Sequence, residues 1–259
     1  MDDKTIGLSL KLKDAYNEQY SDKMTEWREL GGKYKARNIL TVCQGYKFGR
    51  VLECGAGDGS ILKYLNDSPE FSELYAVEIS DSGIHQIRKR ALSKLVEVKK
   101  FNGYTIAYPD GYFDMAYCSH VIEHVEHPRI LLRELSRISA LQVFEIPLDY
   151  SREVDGKVGQ FLAYGHINIY TPSIFKFLLK SEGYEVLREH YSDTSREVIR
   201  YSWYRNMGIK RTFVSDAKLM LLPWLRILRR LVHRAGYNRE FGFSAYTCLA
   251  KGSSELKIF

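Results

Sequence analysis

The chain has 259 residues, of which 45% are hydrophobic and 27% are charged, and its formal net charge is +6. This balance is that of a folded protein with enough apolar side chains for a sizeable core, and it excludes disordered and collagen-like chains. We expect one main domain.

The four cysteines form no close pairs, and three of them lie inside apolar runs, where a thiol behaves as a small buried hydrophobic group. This usage is typical of a reducing compartment. The N-terminus has no apolar signal core, and no stretch reaches the ~20 apolar residues that span a bilayer. We therefore expect a cytoplasmic protein.

The predicted elements begin with helical spacing over residues 8–40, which Gly31 and Gly32 divide into two helices of an N-terminal cap, residues 1–45. Short apolar runs then alternate with helical patterns, which predicts βαβ units and a parallel sheet. The predicted strands are 50–54, 74–79, 96–101, 113–118, 142–146, 184–190 and 243–250. The predicted helices include 60–65, 82–92 and 128–138. A loop through Gly165 follows, and then a helix that opens at Thr171-Pro172, because threonine is a good N-cap and proline suits the first turn.

Residues 193–240 separate the last two predicted strands, and residues 241–259 form the final strand and tail. An insertion of this length should carry its own structure, and 219–234 reads as a basic amphipathic helix. Between Arg196 and Arg239 there are 11 lysines and arginines against two acidic residues. The plainest interpretation is a lid packed on the sheet with its arginines in water. The alternatives are a contact with the inner face of a membrane, a homodimer contact, or a pocket for an anionic substrate.

The segment Glu53-Cys54-Gly55-Ala56-Gly57-Asp58-Gly59 places three alternate glycines between a predicted strand and a predicted helix. Such a turn lets the backbone approach a ligand closely. A dinucleotide fingerprint would have its third glycine at the position of Ser60, and a P-loop would need a Lys-Ser/Thr pair, so both interpretations weaken. Glu78 ends the second strand about 20 residues later, where a carboxylate accepts hydrogen bonds from both ribose hydroxyls of an adenosine.

These residues resemble the first motif of class I S-adenosylmethionine (SAM)-dependent methyltransferases. Residues 118–125, the pair Gly165-His166 and the segment Tyr170-Thr171-Pro172 are similar to the ubiquinone-biosynthesis-like (methyltransferase type 11/23) family. The resemblance covers residues 46 to 189. It implies an α/β fold with a Rossmann-like, doubly wound, seven-stranded sheet whose last strand is antiparallel, and a SAM-binding core over 46–192. SAM would be the cofactor and S-adenosylhomocysteine (SAH) the product.

The resemblance also implies a set of cofactor-binding positions. Asn102 stands where the family usually has aspartate, and its side-chain carbonyl could accept a hydrogen bond from the adenine amino group. Ile79 would pack on the adenine face, and Ser119 and His120 would lie beside the cofactor. The full set is Glu53, Gly55, Ala56, Gly57, Gly59, Glu78, Ile79, Asn102, Gly103, Ser119 and His120. From their position in the chain, and not from the resemblance, we expect the N-terminal helices to close over the cofactor, with Tyr20 and Arg28 as contacts.

Three histidines, His120, His124 and His127, lie close together, and the first two have the spacing of a helical metal site. No glutamate or cysteine elsewhere completes an obvious ligand set, so we expect no metal. A hydroxyl acceptor must lose a proton, and His124 and His166 are the candidate bases. The structural alternatives are a packed helix histidine for His124 and a loop-orienting residue for His166.

We interpret the chain as a methyltransferase that acts on a hydroxyl or amine of a small molecule or glycan. An anionic or lipid-linked acceptor would explain why a cytoplasmic enzyme has a basic surface. One alternative is a nucleic-acid methyltransferase. It is disfavoured because residues 119–122 replace the Asp/Asn-Pro-Pro-aromatic tetrad and no RNA-stacking module is recognisable. Others are a non-catalytic protein that binds SAM or a membrane surface, and an NAD-dependent oxidoreductase.

Overall fold

Seven strands form one mixed sheet in the computed structural model, which describes residue 7, residues 25–150 and residues 154–253. The strands are β1 (Phe48–Cys54), β2 (Phe71–Glu78), β3 (Leu95–Lys100), β4 (Phe113–Ser119), β5 (Ser139–Pro147), β6 (Glu185–Ser192) and β7 (Ala245–Lys251). Their order is β3-β2-β1-β4-β5-β7-β6. Strands β1 to β5 pair in parallel, and β7 is antiparallel to both neighbours. The predicted Rossmann-like sheet with an antiparallel last strand is confirmed.

Helices flank the sheet on both faces. They are α1 (Thr25–Cys43), α2 (Ser60–Asn66), α3 (Asp81–Lys89), α4 (Pro128–Ile138), α5 (Val158–Tyr164), α6 (Pro172–Ser181), α7 (Arg196–Tyr201), α8 (Phe213–Val232) and α9 (Ala235–Phe241). Short 3-10 turns cover Ile122–His124 and Val154–Lys157. Thr171 caps α6 as predicted, since its hydroxyl accepts a hydrogen bond from the Ile174 amide. Within the described ranges, no helix is long and apolar enough to cross a membrane.

Two predictions of local structure are wrong. Helix α1 runs without a break through Gly31 and Gly32. A Cβ on Gly32 would lie 2.7 Å from the backbone of Ser60, so this glycine permits close packing of α1 on α2 and is not a helix break. The predicted loop before Gly165 contains α5, which ends at Gly165 with a φ of 72°. Residues 8–24 of the first predicted N-terminal helix lie outside the described residues, as does Tyr20.

The core divides into two layers because neighbouring strand residues point to opposite faces of the sheet. Val51 packs with α1 and α2 on one face, and Leu52 packs with α4 and α6 on the other. Burial on both faces explains why the central strands read as continuous apolar runs. The strand order reverses between β1 and β4, and the crevice at such a switch point is where open α/β sheets bind ligands.

Candidate functional site

The glycine loop lies at the carboxyl end of β1. Gly55, Gly57 and Gly59 all adopt left-handed backbone conformations, with φ values of 73°, 56° and 76°. A Cβ on Gly55 would lie 2.6 Å from Val121, so the loop and the segment after β4 approach each other too closely for a side chain there. Ala56 between them is buried. The spacing of the glycines is therefore a requirement of the backbone path.

Two buried carboxyl groups end the adjacent strands β1 and β2, and each is 2% exposed. Glu78 accepts hydrogen bonds from the Gly57 amide at 2.7 Å and from the Ser80 amide and hydroxyl at 3.0 and 2.9 Å. Glu53 accepts one from the Tyr117 hydroxyl at 2.8 Å. Burial raises the pKa of Glu78, and it raises that of Glu53 to about 8. The structure thus brings the predicted acidic residues to one edge of the sheet.

Helix α1 is tied to the glycine loop by ion pairs that sequence reasoning largely missed. Arg28, one of the two suggested N-terminal contacts, donates a hydrogen bond from Nε to Oδ2 of Asp58 at 2.9 Å. Arg90, at the end of α3, donates from Nε to the Asp58 carbonyl at 2.6 Å and pairs with Glu29. The loop is thereby held between α1 and α3.

The turn after β3 contains the predicted adenine contact. Asn102 accepts hydrogen bonds on Oδ1 from the amides of Tyr104 and Thr105, at 2.9 and 2.7 Å. This oxygen, which the sequence analysis assigns to the adenine amino group, therefore already stabilises its own turn. Gly103 has a φ of 101°, and Ile79 is partly buried against the core.

The segment after β4 has an unusual backbone. His120 has a φ of 54°, a conformation that non-glycine residues rarely adopt and that is often found at functional sites. Its amide donates to the Glu145 carbonyl at 2.9 Å. The Glu145 carboxylate accepts hydrogen bonds from Ser119 and from Asn38 of α1, both at 2.7 Å. Burial lowers the pKa of Lys35, also on α1, against the attraction of Glu145 and other carboxylates.

A polar cluster of Glu123, His124 and His166 lies next to this segment. Glu123 is 0% exposed, and neither of its carboxylate oxygens accepts a hydrogen bond from the described residues. Its Oε1 lies 3.5 Å from Nδ1 of His120 and 3.8 Å from Nε2 of His124. Burial raises the pKa of Glu123 to about 7. A buried polar group without a partner costs roughly 1–3 kcal/mol, so this carboxyl group requires an explanation.

Both cluster histidines are oriented by neighbours. Nδ1 of His124 lies 2.9 Å from the Gly165 carbonyl, which can only accept, so the proton is on Nδ1. Nδ1 of His166 lies 2.5 Å from Oδ2 of Asp149. Burial lowers the pKa of His124 to about 4. Burial acts to lower the pKa of His166, but the hydrogen bond to Asp149 and the negative charges of Glu123 and Asp149 together outweigh it, and the pKa is raised. The structure therefore unites the two candidate bases and adds Glu123 and Asp149, which sequence reasoning did not select.

Helix α8 directs part of its basic side toward the protein and most of its apolar side toward solvent. The plainest interpretation predicts the reverse. Arg230 pairs with Asp193 at 2.6 Å, and Arg226 donates to the Thr194 carbonyl at 3.0 Å, so these arginines face the protein. Leu219 is buried, but most of the large apolar side chains are in solvent. They are Phe213, Met220, Leu221, Trp224, Leu225, Leu228, Leu231 and Val232. Arg229 and Arg234 are exposed, as the lid interpretation predicts, whereas Arg226 and Arg230 are not, so the expectation that all these arginines lie in water does not hold for those two.

Comparison with known proteins gives one family and several related structures. Residues 16–189 match a family described as a methyltransferase domain. Over 116 residues the chain is 28% identical to a ubiquinone/menaquinone biosynthesis C-methyltransferase of Paraburkholderia xenovorans, covering 42% of this chain and 46% of the relative. The chain thus spans about half the length of the curated relatives it matches.

Two solved structures share the fold. A SAM-dependent methyltransferase from Archaeoglobus fulgidus is 22% identical with a TM-score of 0.57, and the match covers 86% of this chain and 94% of the other. A methyltransferase in complex with the Haloferax volcanii Trm112 methyltransferase activator is 11% identical with a TM-score of 0.65, covering 94% and 98%. At these identities the likeness concerns the fold.

Proposed function

The chain belongs to the methyltransferase domain family, and from that premise we propose that it transfers the methyl group of SAM to a hydroxyl group of a small molecule or glycan. SAM is the cofactor of this family, with SAH as the product. Bound SAM supplies a methyl group on a positively charged sulfonium. The protein then has to position the acceptor, exclude water and remove the hydroxyl proton.

The carboxylate of Glu78 suits the ribose of the cofactor. A carboxylate can accept about four hydrogen bonds. The fixed amides of Gly57 and Ser80 take one on each oxygen, and the Ser80 hydroxyl can rotate away. One acceptor position per oxygen then serves the two ribose hydroxyls. The left-handed glycine loop would hold the methionine part, beside Glu53.

The Glu123, His124 and His166 cluster supports transfer to oxygen. Asp149 holds the proton of His166 on Nδ1, which leaves Nε2 as its electron-pair donor. The Gly165 carbonyl gives His124 the same form. Two imidazoles with oriented lone pairs beside a buried carboxyl group are suited to activating a hydroxyl.

The Asp149→Asn variant tests this assignment. We expect a 10²- to 10⁴-fold loss of kcat with unchanged SAM affinity, because the variant disturbs only the orientation and basicity of His166. The assay follows SAH release while fractions of cell extract are screened as acceptors by mass shift. Asp155→Asn, an exposed neighbour, is the matched control. An unchanged kcat in Asp149→Asn would contradict the role of the cluster.

Transfer to carbon is the second candidate, because the Paraburkholderia relative is named a C-methyltransferase. A carbon nucleophile also needs proton removal, from a phenol or an enol. NMR of the methylated product separates the two, since a methyl on oxygen and a methyl on carbon have different carbon shifts.

The exposed apolar face of α8 supports an acceptor that is lipid-linked. Leu231 is 78% exposed and Phe213 is 89% exposed, and both belong to one continuous face of the helix. Exposed basic side chains, Lys218, Arg229 and Arg234, flank or follow this face. An apolar face with basic edges suits the surface of an anionic membrane. The helix would hold the enzyme where a lipid-linked acceptor enters the crevice.

Binding to phosphatidylglycerol vesicles tests this part of the proposal. Each leucine on the exposed face contributes about 1.5–3 kcal/mol when it enters the lipid, so Leu228→Asp with Leu231→Asp should weaken binding more than tenfold. Val96→Asp replaces an exposed apolar residue on β3 and serves as the control. Equal binding of both variants, or a concentration-dependent dimer that buries α8 in place of vesicle binding, would refute a membrane role.

A further inference from the structure

The cluster of Glu123, His124 and His166 has the composition of a metal site. One ligand atom from each residue lies within 4.8 Å of the other two, and the rings of the two histidines are 4.8 Å apart. Two imidazoles and one carboxylate are the protein ligands of catalytic zinc sites and of related divalent-metal centres. Contrary to the expectation of no metal drawn from the sequence, we propose that these three side chains hold a divalent cation of the zinc, manganese or cobalt type.

The surroundings orient the ligands in the way metal sites require. A histidine that binds metal through one ring nitrogen usually donates the other N–H to a carboxylate or a backbone carbonyl. His166 meets Asp149 through Nδ1 and His124 meets the Gly165 carbonyl through Nδ1. Each ring therefore presents Nε2 as the unprotonated nitrogen, which is the form that binds a cation.

The Glu123 carboxyl group is an independent indication. It is fully buried, it follows a segment whose backbone is held in an unfavourable conformation at His120, and no donor among the described residues hydrogen-bonds it. Buried carboxylates are ordinarily paired, hydrogen-bonded or bound to metal. A cation between Glu123 and the two histidines would bind one carboxylate oxygen directly and balance the buried negative charge.

The geometry needs only small side-chain movements. Ligand atoms 2.0–2.1 Å from a tetrahedral zinc ion lie about 3.3 Å apart. The Glu123 to His124 atoms are already 3.8 Å apart and no pair in the set is more than 4.8 Å apart, so side-chain movements of up to about 1.5 Å close the set. Three protein ligands leave at least one position open for the acceptor.

This inference rests on the proposed function and specifies how the cluster activates the acceptor. The hydroxyl oxygen would bind the cation at the open position, and its proton would pass to solvent because coordination lowers the hydroxyl pKa. An electron pair of that oxygen then forms the new bond to the methyl carbon as the carbon–sulfur bond breaks. Sulfur keeps the pair of that bond, and the neutral thioether of SAH results.

The test uses Co²⁺, added without acceptor to chelator-treated full-length protein, and follows its visible absorption together with calorimetry. We expect one Co²⁺ per chain in the wild type, which Zn²⁺ displaces. His124→Ala and His166→Ala should weaken binding at least a hundredfold, and Asp149→Asn about 10- to 100-fold. His85→Ala, an exposed histidine of α3, should bind as the wild type does. SAM titration of each variant shows that the fold is intact.

Binding that is absent from the wild type, or equal in all variants, would overturn the cation proposal. Turnover lost in Asp149→Asn without any metal binding leaves the proposed function standing and removes only the cation. If the wild type binds one equivalent of metal and the ligand variants do not, the cation site is supported even when no methyl transfer is detected. The cation proposal and the proposed function can therefore fail independently.

Discussion

Glu78→Ala should weaken SAM binding strongly while leaving the sheet intact. The Glu78 carboxylate is 2% exposed and already fixed by the Gly57 and Ser80 amides, so it is preorganised for the ribose hydroxyls. Each hydrogen bond to a charged acceptor contributes about 1.5–3 kcal/mol, and part is recovered by water in the variant. A net loss of roughly 2–4 kcal/mol corresponds to a Kd increased about 30- to 1,000-fold.

Isothermal titration with SAM, SAH and NAD measures the effect. Glu73→Ala, an exposed glutamate on the same strand, makes the same charge change away from the site and should bind SAM normally. Circular dichroism confirms that both variants fold. A Kd of the folded Glu78→Ala variant within threefold of the wild type would falsify the ribose assignment, and tight binding of NAD in place of SAM would overturn the cofactor itself.

Three further predictions concern stability and reactivity. Burial acts to raise the pKa of Glu182, but the hydrogen bonds and charges of Arg133 and Arg129 outweigh it and the pKa is lowered. Glu182→Gln should therefore reduce the free energy of unfolding by about 1–3 kcal/mol at pH 7. That difference should vanish as pH falls through the folded pKa, below 4.5; urea titrations check this, and the exposed Glu185→Gln should show no effect. Burial raises the pKa of Cys43 to about 12 and all four thiols are buried, so Ellman's reagent should react only after unfolding; rapid native reaction contradicts this. Gly32→Ala should destabilise by roughly 1–3 kcal/mol in thermal melts, whereas Gly31→Ala, with open space, should stabilise slightly.

The strands and their alternation with helices were predictable because the central strands are buried on both faces and appear in the sequence as apolar runs between helical patterns. The errors arose where a residue type has two physical uses. Gly32 reads as a helix break, but its missing side chain allows α1 to approach Ser60. Likewise, the stretch before Gly165 is predicted as a loop because the glycine marks a turn, but that glycine is the C-cap of α5. Packing between elements decides both cases, and a local pattern does not contain it.

The same distinction separates the two halves of the site. The glycine loop and Glu78 are contiguous motifs at strand ends, so their meeting at one sheet edge follows from parallel topology. The Glu123 cluster instead depends on the chain after β5, which returns Asp149 and His166 to the segment after β4. Glu123 was adjacent to a singled-out histidine, and that adjacency was the one signal available. Its partner His166 is 43 residues away in the sequence, and the spacing rules for helical metal sites do not apply over such a distance.

Helix α8 shows what an amphipathic pattern leaves undecided. Periodicity separates apolar from basic side chains around the helix, but it does not state which side faces the protein. Here Asp193 and the Thr194 carbonyl provide acceptors for Arg230 and Arg226, so these two basic side chains are held inward by charge-assisted hydrogen bonds. The apolar side is left in water, at a free-energy cost that a lipid surface would remove. Because the inward arginines anchor the helix, Leu228 and Leu231 can be replaced by aspartate without loss of folded-state packing. A defect of that double variant on vesicles, with normal SAM affinity in solution, would therefore report membrane contact alone.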